Sequence, residues 1–369
     1  KTSDLDLILG GDLLNQLGTS HYFARDLEIP FIGLYGACSN STLIAANAAM
    51  WIDSGHAERV LGLTSSHNAT AERQFRYPNE YGVQKPETTT YTVTGAGAMI
   101  FQHEKTPIRL TQATLGRILD WQFTNPNDMG SAMAPAAFDT ICRHFENTGT
   151  SFDDYDLIVT GDLSKIGRSM LIDLFKQKGM DPHDKLIDCG LLIYDREHQE
   201  VFAGGSGCAC SAVVTIAYLF DLLRTKALHK IMVVATGALL STVIVQQKES
   251  IPCIAHAIVY EGAFVVCGLI CLAGQLIYDN TNLTPGHITS LFVVLGAFLD
   301  FFNLYDKLVE FGHAGALLPI TSFGHSLMHS VMDGVAQQGL LGIPLGMLDL
   351  TAAGITSAIY FAFLAALIF

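Results

Sequence analysis

The chain contains an internal repeat, and this repeat limits the possible folds more than any other feature of the sequence. Residues 6–14 read DLILGGDLL, and residues 156–164, about 150 positions later, read DLIVTGDLS. In each copy, a short apolar run typical of a buried strand is followed by the letters GDL and then by a helical stretch. Strand and helix signals alternate around both copies. The sequence therefore predicts an α/β domain built from two similar halves, with mostly parallel strands.

The other strand and helix signals complete the two halves. The strands are apolar runs bounded by glycine or polar residues, and helical stretches follow several of them. The predicted strands are 5–9, 29–35, 59–64, 88–101, 156–160 and 230–235. The predicted helices are 41–55, 166–178 and 212–223, and 108–149 is a connecting region. We expect one domain over residues 1–260, with its halves at about 1–107 and 150–260.

One cysteine lies at the strand-to-helix junction of the first half. Residues 31–51 read FIGLYGACSNSTLIAANAAMW, so Cys38 follows an apolar strand and a glycine and precedes an alanine-rich helix. Ser39, Asn40 and Ser41 are all residue types that cap helix N-termini. Free N–H groups and the positive end of the helix dipole lower the pKa of a thiol and attract an anion. Cys38 is therefore a candidate nucleophile, and its turn is equally a candidate carboxylate-binding site.

The sequence changes character beyond residue 260, where Lys307 is the only lysine or arginine. Apolar spans occur at 262–278, 288–302 and 350–369, and the last contains 20 residues without a charge. A helix of that length can cross a bilayer. The sequence predicts a soluble domain followed by a helical integral membrane domain over 261–369. The net charge of −14 argues against nucleic-acid binding, which requires a basic face.

Three ionisable residues recur at intervals of four in this second part: His325, His329 and Asp333. On a helix they share one face. Ionisable side chains at membrane depth usually face an interior path, so this stripe is a candidate lining for a conduit that meets Ca²⁺ or protons. An interfacial helix with its polar face in water explains the stripe equally well. A zinc site lacks a third ligand in this pattern.

Long motifs in both parts carry a resemblance to known families. Residues 10–16, 31–39, 133–140, 186–197 and 246–257 resemble the stage V sporulation protein AD family, which has a thiolase-like fold. Residues 274–279, 304–316 and 319–329 resemble the companion membrane protein AE family. The resemblance implies that the products of two neighbouring genes of one operon are joined near Glu261. The joining is either a natural fusion or a joined gene model. The resemblance also implies that the thiolase-like part is N-terminally incomplete, lacking the first strand and helices of the family.

The resemblance implies a role in sporulation and germination. On this basis the chain is expected to bind dipicolinic acid and to take part in its transport, with Ca²⁺, across the inner forespore membrane. No other cofactor and no resident metal are implied. The expected partners are dipicolinic acid, other proteins of the same sporulation operon and the lipid bilayer, with no nucleic acid. The expected location is the inner forespore or spore membrane of an endospore-forming bacterium, with the soluble domain membrane-associated.

A thiolase-like fold by itself suggests acyl condensation. The residues around Cys38 must show whether the domain is catalytic. Condensing enzymes use histidine or asparagine partners to activate the carbanion and to hold the thioester oxygen. By resemblance to ketoacyl synthases, these partners align with Gly161 and Ser206, and the second cysteine of a thiolase is absent from 235–237. We therefore assign no catalytic residue and expect a non-catalytic domain. An acyl-condensing or acyl-transfer enzyme that uses Cys38 is the alternative, and a purely structural assembly factor is a third possibility.

Dipicolinate is a small, flat dianion, so its site should offer helix N–H groups, hydroxyls, an aromatic face and a guanidinium. Several residues with such groups converge if the two halves pack as the resemblance implies. The predicted ligand-binding residues are Cys38, Ser39, Ser41, Gly161, Ser206 and Thr236, with Arg73, Arg76, Tyr77 and Tyr81 closing over the ligand. The alternative for the last four is a solvated loop. For Cys38 the alternative is a small buried residue retained for packing.

Overall fold

The computed structural model describes residues 4–67, 85–104, 106–262, 265–281, 283–312, 316 and 319–339. The chain divides into two compact units. Unit 1 comprises Lys1–Glu104 and Ile108–Gly262, and unit 2 comprises Lys105–Pro107 and Ala263–Phe369.

The first half of unit 1 contains a four-stranded sheet. Its strands are β1 (Leu7–Asp12), β2 (Phe31–Gly33), β3 (Arg59–Ser66) and β5 (Gly95–Gln102). Their order is β2-β1-β3-β5, with β1 parallel to both of its neighbours and β5 antiparallel to β3. Two helices connect the parallel strands: α1 (Gly18–Leu27) and α2 (Asn40–Asp53).

The second half repeats this arrangement in a separate, five-stranded sheet. Its strands are β6 (Ile108–Leu115), β7 (Leu157–Thr160), β8 (Leu186–Asp188), β10 (Lys230–Ala238) and β11 (Cys253–Gly262). The order is β6-β11-β10-β7-β8, with β7 parallel to β8 and β10, and β11 antiparallel to β10. The order β8-β7-β10-β11 therefore corresponds strand for strand to β2-β1-β3-β5, which is the internal repeat in structural form. The strands lie in two mixed sheets rather than in one mostly parallel sheet.

Helices form three layers around the two sheets. The described residues of unit 1 contain six further helices: α3 (Met129–Thr148), α4 (Ser164–Gln177), α5 (Cys189–Leu192), α6 (Cys208–Val214), α7 (Phe220–Arg224) and α8 (Thr242–Gln246). A π-helical turn, Thr215–Leu219, joins α6 to α7. α2 contacts strands of both sheets and packs with α6 in the central layer. α1 covers the first sheet, and α3 with α4 covers the second.

Side-chain size and burial explain this central layer. Ala45 and Ala46 of α2 are buried, and their small side chains let the helix fit between two sheets. In β10, Met232 packs in the core beneath α3, whereas Val233 packs in the core around α2 and α6. Because both faces of the second sheet are covered, β10 is continuously apolar instead of alternating.

Some predicted elements of unit 1 are wrong or displaced. Residues 108–149, predicted as a connection, contain β6 and the 20-residue helix α3, whose interior includes Pro135. A proline inside a helix is unfavourable, but α3 is stabilised by its buried face over the second sheet. Strand β11 was not among the predicted elements, and the first strand extends over Leu7–Asp12 instead of 5–9.

Unit 2 is helical in the part that the structure describes. Its helices are α9 (Val265–Asn280), α10 (Pro285–Phe301), α11 (Leu304–Gly312) and α12 (Thr321–Gln338). Among the described residues, no helix combines the length and the apolar character needed to cross a membrane. The apolar spans 262–278 and 288–302 fall largely on α9 and α10, and 350–369 lies outside the described residues. The helical character predicted for this part is therefore observed, whereas a membrane-spanning helix is not observed among the described residues.

Candidate functional site

Cys38 lies in a tight turn that the side chain of Asn40 holds in place. A single 3-10 turn, Ala37–Ser39, precedes α2, and its first residue has a left-handed φ of 51°. Asn40 Oδ1 accepts a hydrogen bond from the Gly36 N–H at 2.6 Å. Its Nδ2 donates to the carbonyl oxygen of Asp12 at 2.6 Å. Asn40 therefore connects the cysteine turn to the end of β1. The N-cap residue of α2, Ser39, makes no capping hydrogen bond with its side chain.

The end of β10 packs directly against this turn. A Cβ atom at Gly237 would overlap the carbonyl oxygen of Gly36 and lie 3.2 Å from the Ser39 nitrogen. A Cβ atom at Gly161 would lie 2.9 Å from the Cα atom of Ala235. Both glycines are therefore required for close contact between backbones. Gly161, a predicted ligand-binding residue, serves packing in this way.

Asp162 is the centre of the polar network around Cys38. Its side chain is buried, and its Oδ1 accepts a hydrogen bond from Thr236 Oγ1 at 2.8 Å. Its Oδ2 accepts from Ser206 Oγ at 3.0 Å and from the Gly207 N–H at 2.9 Å. The charge of this carboxylate also acts on the Cys38 thiol and raises its pKa. Cys38, Ser206 and Thr236 therefore lie together around Asp162, an acid that was not among the predicted site residues.

The electrostatics of Cys38 are opposite to those predicted from its place before a helix. Burial raises the pKa of the thiol well above its ordinary value, and the negative charge of Asp162 raises it further. Burial also raises the pKa of Asp162, although hydrogen bonds from Gly207 and Thr236 oppose that effect. Loss of water and a neighbouring acid therefore outweigh the helix N-terminus. The thiol is held in its neutral form.

Asp162 has an equivalent residue in the other half of the internal repeat. Asp12 is its counterpart in the first half, and Asp12 Oδ1 accepts a hydrogen bond from Ser65 Oγ at 2.8 Å. Ser65 lies opposite Asp12 in the parallel pairing of β1 with β3. Thr236 on β10 gives the same hydrogen bond to Asp162 in the second half. In the sequence, the GDL motif of each copy marks Asp12 and Asp162 as equivalent residues.

The two serines after Cys38 have structural partners. Ser39 Oγ donates to the carbonyl oxygen of Gly36 at 2.6 Å, and Ser41 Oγ lies 2.7 Å from Ser211 Oγ between α2 and α6. Both serines are buried. Their hydroxyls hold the turn and the central layer together. The other predicted residues, Arg73, Arg76, Tyr77 and Tyr81, lie outside the described residues.

A small cavity adjoins Cys38. Two short strands, β4 (Tyr91–Thr92) and β9 (Gly205–Ser206), pair in parallel and bring Thr92 and Ser206 to its wall. The cavity volume is about 10 Å³, which is space for one water molecule. Its lining consists of Leu13, Tyr35, Ala37, Cys38, Thr92, Met129, Ser206 and Ala238.

The predicted histidine stripe lies on α12 in unit 2. His329 Nε2 is 3.8 Å from Asp333 Oδ2, one turn further along the same helix. His325 Nδ1 is 2.6 Å from Asp300 Oδ1 on α10. The shared face of the three residues is therefore present, and the structure adds Asp300, which the spacing of the stripe could not reveal.

Comparison with known proteins bears on both parts of the chain. Residues 1–261 match the family model described as Stage V sporulation protein AD (SpoVAD), and residues 259–368 match that of the SpoVAC/SpoVAEB sporulation membrane proteins. Stage V sporulation protein AD of Bacillus subtilis (strain 168) is 56% identical over 260 residues, which are 70% of this chain and 77% of that protein. Stage V sporulation protein AC of the same strain is 29% identical over 114 residues, 29% of this chain and 76% of that protein.

Two solved structures of low sequence identity are also similar to this chain. The 3-oxoacyl-(acyl carrier protein) synthase III, FabH, from Pseudomonas aeruginosa PAO1 has a TM-score of 0.45 at 13% identity, covering 70% of this chain and 77% of that chain. A variant of OleA from Xanthomonas campestris has a TM-score of 0.45 at 15% identity, covering 69% of this chain and 76% of that chain. Similarity at this level says nothing about activity.

The family resemblance expected from the sequence motifs is confirmed for both parts. The AD model spans well over half of the chain, and a relative from Bacillus subtilis shares more than half of the aligned residues. The chain therefore belongs to the stage V sporulation protein AD family, and its C-terminal segment is similar to the SpoVAC/SpoVAEB sporulation membrane proteins.

Proposed function

We propose that this chain binds dipicolinic acid through unit 1 and takes part in moving it, with Ca²⁺, across the inner forespore membrane during sporulation. The observation that carries a binding role, rather than a catalytic one, is that Cys38 shares its cavity with Ser206, which donates to the buried carboxylate of Asp162, so that burial and this acid both raise the pKa of the thiol. Membership of the AD family supports the sporulation context. The match of residues 259–368 to sporulation membrane proteins supports action at a membrane.

The state of Cys38 argues against covalent catalysis. A cysteine nucleophile attacks as the thiolate, and enzymes stabilise that form with a neighbouring cation or base. Here the neighbour is an acid, and burial and the charge of Asp162 both raise the pKa of the thiol. The positions where condensing enzymes carry their His and Asn partners hold Gly161 and Ser206. The site therefore favours a neutral, unreactive thiol that lines a pocket.

Asp162 also bears on the kind of ligand that the pocket accepts. An ionised Asp162 would repel a dianion, whereas a protonated one can donate a hydrogen bond to a carboxylate. Burial raises the pKa of Asp162 and thus favours the protonated form that a dianionic neighbour requires. We therefore expect dipicolinate binding to be coupled to proton uptake at this residue, with affinity decreasing as the pH rises.

The pocket must widen to admit the ligand. Its volume of about 10 Å³ has room for one water molecule and not for a ring with two carboxylates. One wall is the short β4–β9 ribbon, which pairs Tyr91 with Gly205 and Thr92 with Ser206. We expect this ribbon to move when the ligand binds, and the hydroxyls of Thr92 and Ser206 to face it.

Isothermal titration of the full-length chain tests the proposal. Dipicolinate, with and without Ca²⁺, should bind saturably, whereas benzoate, which has one carboxylate and no ring nitrogen, should bind far more weakly. Cys38→Ala should weaken binding only partly, while the bulky Cys38→Trp should abolish it. Cys142→Ala, a buried cysteine on α3 that does not line the pocket, is the matched control and should bind normally. Circular dichroism establishes that each variant is folded.

Two results would overturn the proposal. Dipicolinate binding no tighter than benzoate binding would remove the ligand assignment. Equal, unchanged affinity of Cys38→Ala and folded Cys38→Trp would remove the Cys38 turn from the site. Incubation with an acyl thioester examines the alternative enzyme directly, because acylation of Cys38 with turnover, seen by mass spectrometry, would establish acyl transfer instead.

A further inference from the structure

Four potential metal ligands converge in unit 2, among α10, α11 and α12. One ligand atom from each of Asp300, Asp306, His325 and His329 can be chosen so that all four lie within 4.8 Å of one another. Asp300 belongs to α10, Asp306 to α11 and the two histidines to α12. The pattern of the sequence offered two histidines at i and i+4, and the fold supplies two carboxylates beside them.

Close packing of α10 on α12 creates this cluster. A Cβ atom at Gly296 would overlap the carbonyl oxygen of Thr321, and a Cβ atom at Gly324 would overlap that of Val293. The two helices therefore touch backbone to backbone at these glycines. Asp300 lies one turn beyond Gly296 on α10, and His325 directly follows Gly324 on α12. The glycine contacts thus bring the carboxylate and the imidazole together.

Asp300 has an oxygen that lacks a hydrogen-bonding partner. The side chain is 1% exposed. Its Oδ1 lies 2.6 Å from His325 Nδ1 and 3.8 Å from His329 Nδ1. Its Oδ2 is buried and has no hydrogen-bond partner among the described residues. A buried carboxylate oxygen without a partner is costly, so it indicates a ligand at this point.

His325 is held in a defined orientation by Tyr305. The two rings are stacked, with centroids 4.7 Å apart and an interplanar angle of 16°. The Tyr305 hydroxyl lies 2.7 Å from the Ala316 carbonyl oxygen and 2.7 Å from Thr321 Oγ1. A fixed ring beneath the imidazole limits its rotation, which is the kind of support that metal-binding histidines receive.

We propose that Asp300, Asp306, His325 and His329 form a binding site for one divalent ion of the Zn²⁺ class. Two imidazole nitrogens and two carboxylate oxygens suit Zn²⁺ and its first-row neighbours. Ca²⁺ and Mg²⁺ prefer shells made of oxygen, so this site is distinct from calcium handling. Two carboxylates and two neutral imidazoles carry a charge of −2, which the ion neutralises. The orphan oxygen of Asp300 gains a partner as well.

Only a modest closure is needed to complete the site. Ligand atoms about 2.0–2.1 Å from a tetrahedral Zn²⁺ are about 3.3 Å from each other. The ligand atoms lie within 4.8 Å of one another, so they must approach by no more than about 1.5 Å. Asp306, with a side chain 40% exposed, has the freedom to make this movement. Asp300 and His325 form the fixed part of the site.

Metal binding to the full-length, untagged chain tests the inference. After chelation and dialysis, titration with Zn²⁺ should give one tight site per chain, and Co²⁺ should give the visible spectrum of a nitrogen and oxygen site. Asp300→Asn and His329→Gln should each lower affinity roughly 10- to 100-fold or more. His287→Gln is the matched control, since His287 is an exposed histidine on α10 outside the cluster, and it should bind normally.

Several outcomes contradict the site. Unchanged affinity in His329→Gln, whose side chain is 42% exposed and can be replaced without disturbing a core, would exclude a shared site even if Asp300→Asn failed to fold. A Co²⁺ spectrum with thiolate charge transfer would assign the metal to a cysteine such as Cys271. Absence of tight Zn²⁺ or Co²⁺ binding would show that the cluster is instead a set of histidine–aspartate ion pairs.

Discussion

Replacing Asp162 by asparagine tests the electrostatic state of Cys38 most directly. The change keeps the size of the side chain but removes its charge and one of its two acceptor oxygens. Asp162 accepts hydrogen bonds from Thr236, Ser206 and the Gly207 N–H, so it meets donors on both oxygens. An amide nitrogen placed towards Gly207 would face an N–H that cannot turn away. We therefore expect the amide nitrogen to face Thr236, whose hydroxyl can rotate and accept.

The expected loss of stability follows from these contacts. The variant loses the charge-assisted bonds of the carboxylate and leaves Thr236 without its acceptor. Loss of one buried partner costs about 1–3 kcal/mol in the free energy of unfolding. Urea unfolding of the full-length chain measures this cost. Asp153→Asn is the control, because its side chain is 88% exposed and should change stability little.

The same variant should make Cys38 more reactive. Removing the negative charge lowers the pKa of the thiol, because the repulsion by Asp162 that raises it is gone. Alkylation of Cys38 by iodoacetamide, followed by peptide mass spectrometry, should therefore be faster in Asp162→Asn than in the unchanged chain. Cys271 is exposed and provides an internal reference in the same sample. An unchanged ratio of the two alkylation rates would refute the assigned role of Asp162.

Three further predictions concern packing, pH and the central layer. Gly237→Ala should destabilise unit 1 by about 1–3 kcal/mol in urea unfolding, because its Cβ meets the cysteine turn, whereas Gly18→Ala, with open space around it, should not. His256 is buried and its pKa is lowered to about 4, so below pH 6.5 the unfolded chain binds a proton that the folded chain does not. Stability should therefore fall from about pH 6.5 towards pH 4, and His256→Gln should make that fall shallower in unfolding experiments at several pH values. A double-mutant cycle on Ser41→Ala and Ser211→Ala should give a coupling of about 0.5–1.5 kcal/mol, and a coupling near zero would contradict their hydrogen bond.

Several features could be predicted from the sequence because they depend on local order along the chain. The apolar runs before each GDL gave β1 and β7, and the small residues after Cys38 gave α2 within two residues of its ends. α3 could not be predicted in the same way, because Pro135 weakens its local pattern and burial over the second sheet stabilises it.

The charges and distances of both sites depend on contacts that the sequence order does not display. Asp162 and Thr236 are 74 residues apart, and Asp300 and His325 are 25 apart. A helix N-terminus predicted a lowered pKa for Cys38, but burial and the approach of Asp162 reverse its direction. In unit 2, the glycine contacts between α10 and α12 convert a stripe of two histidines into a four-residue cluster. The sequence by itself determined the family, the repeat and the residue types at the cysteine turn. Only the tertiary structure decided which acids lie beside the thiol and the histidines, because desolvation and Coulomb energy depend on burial and distance through space.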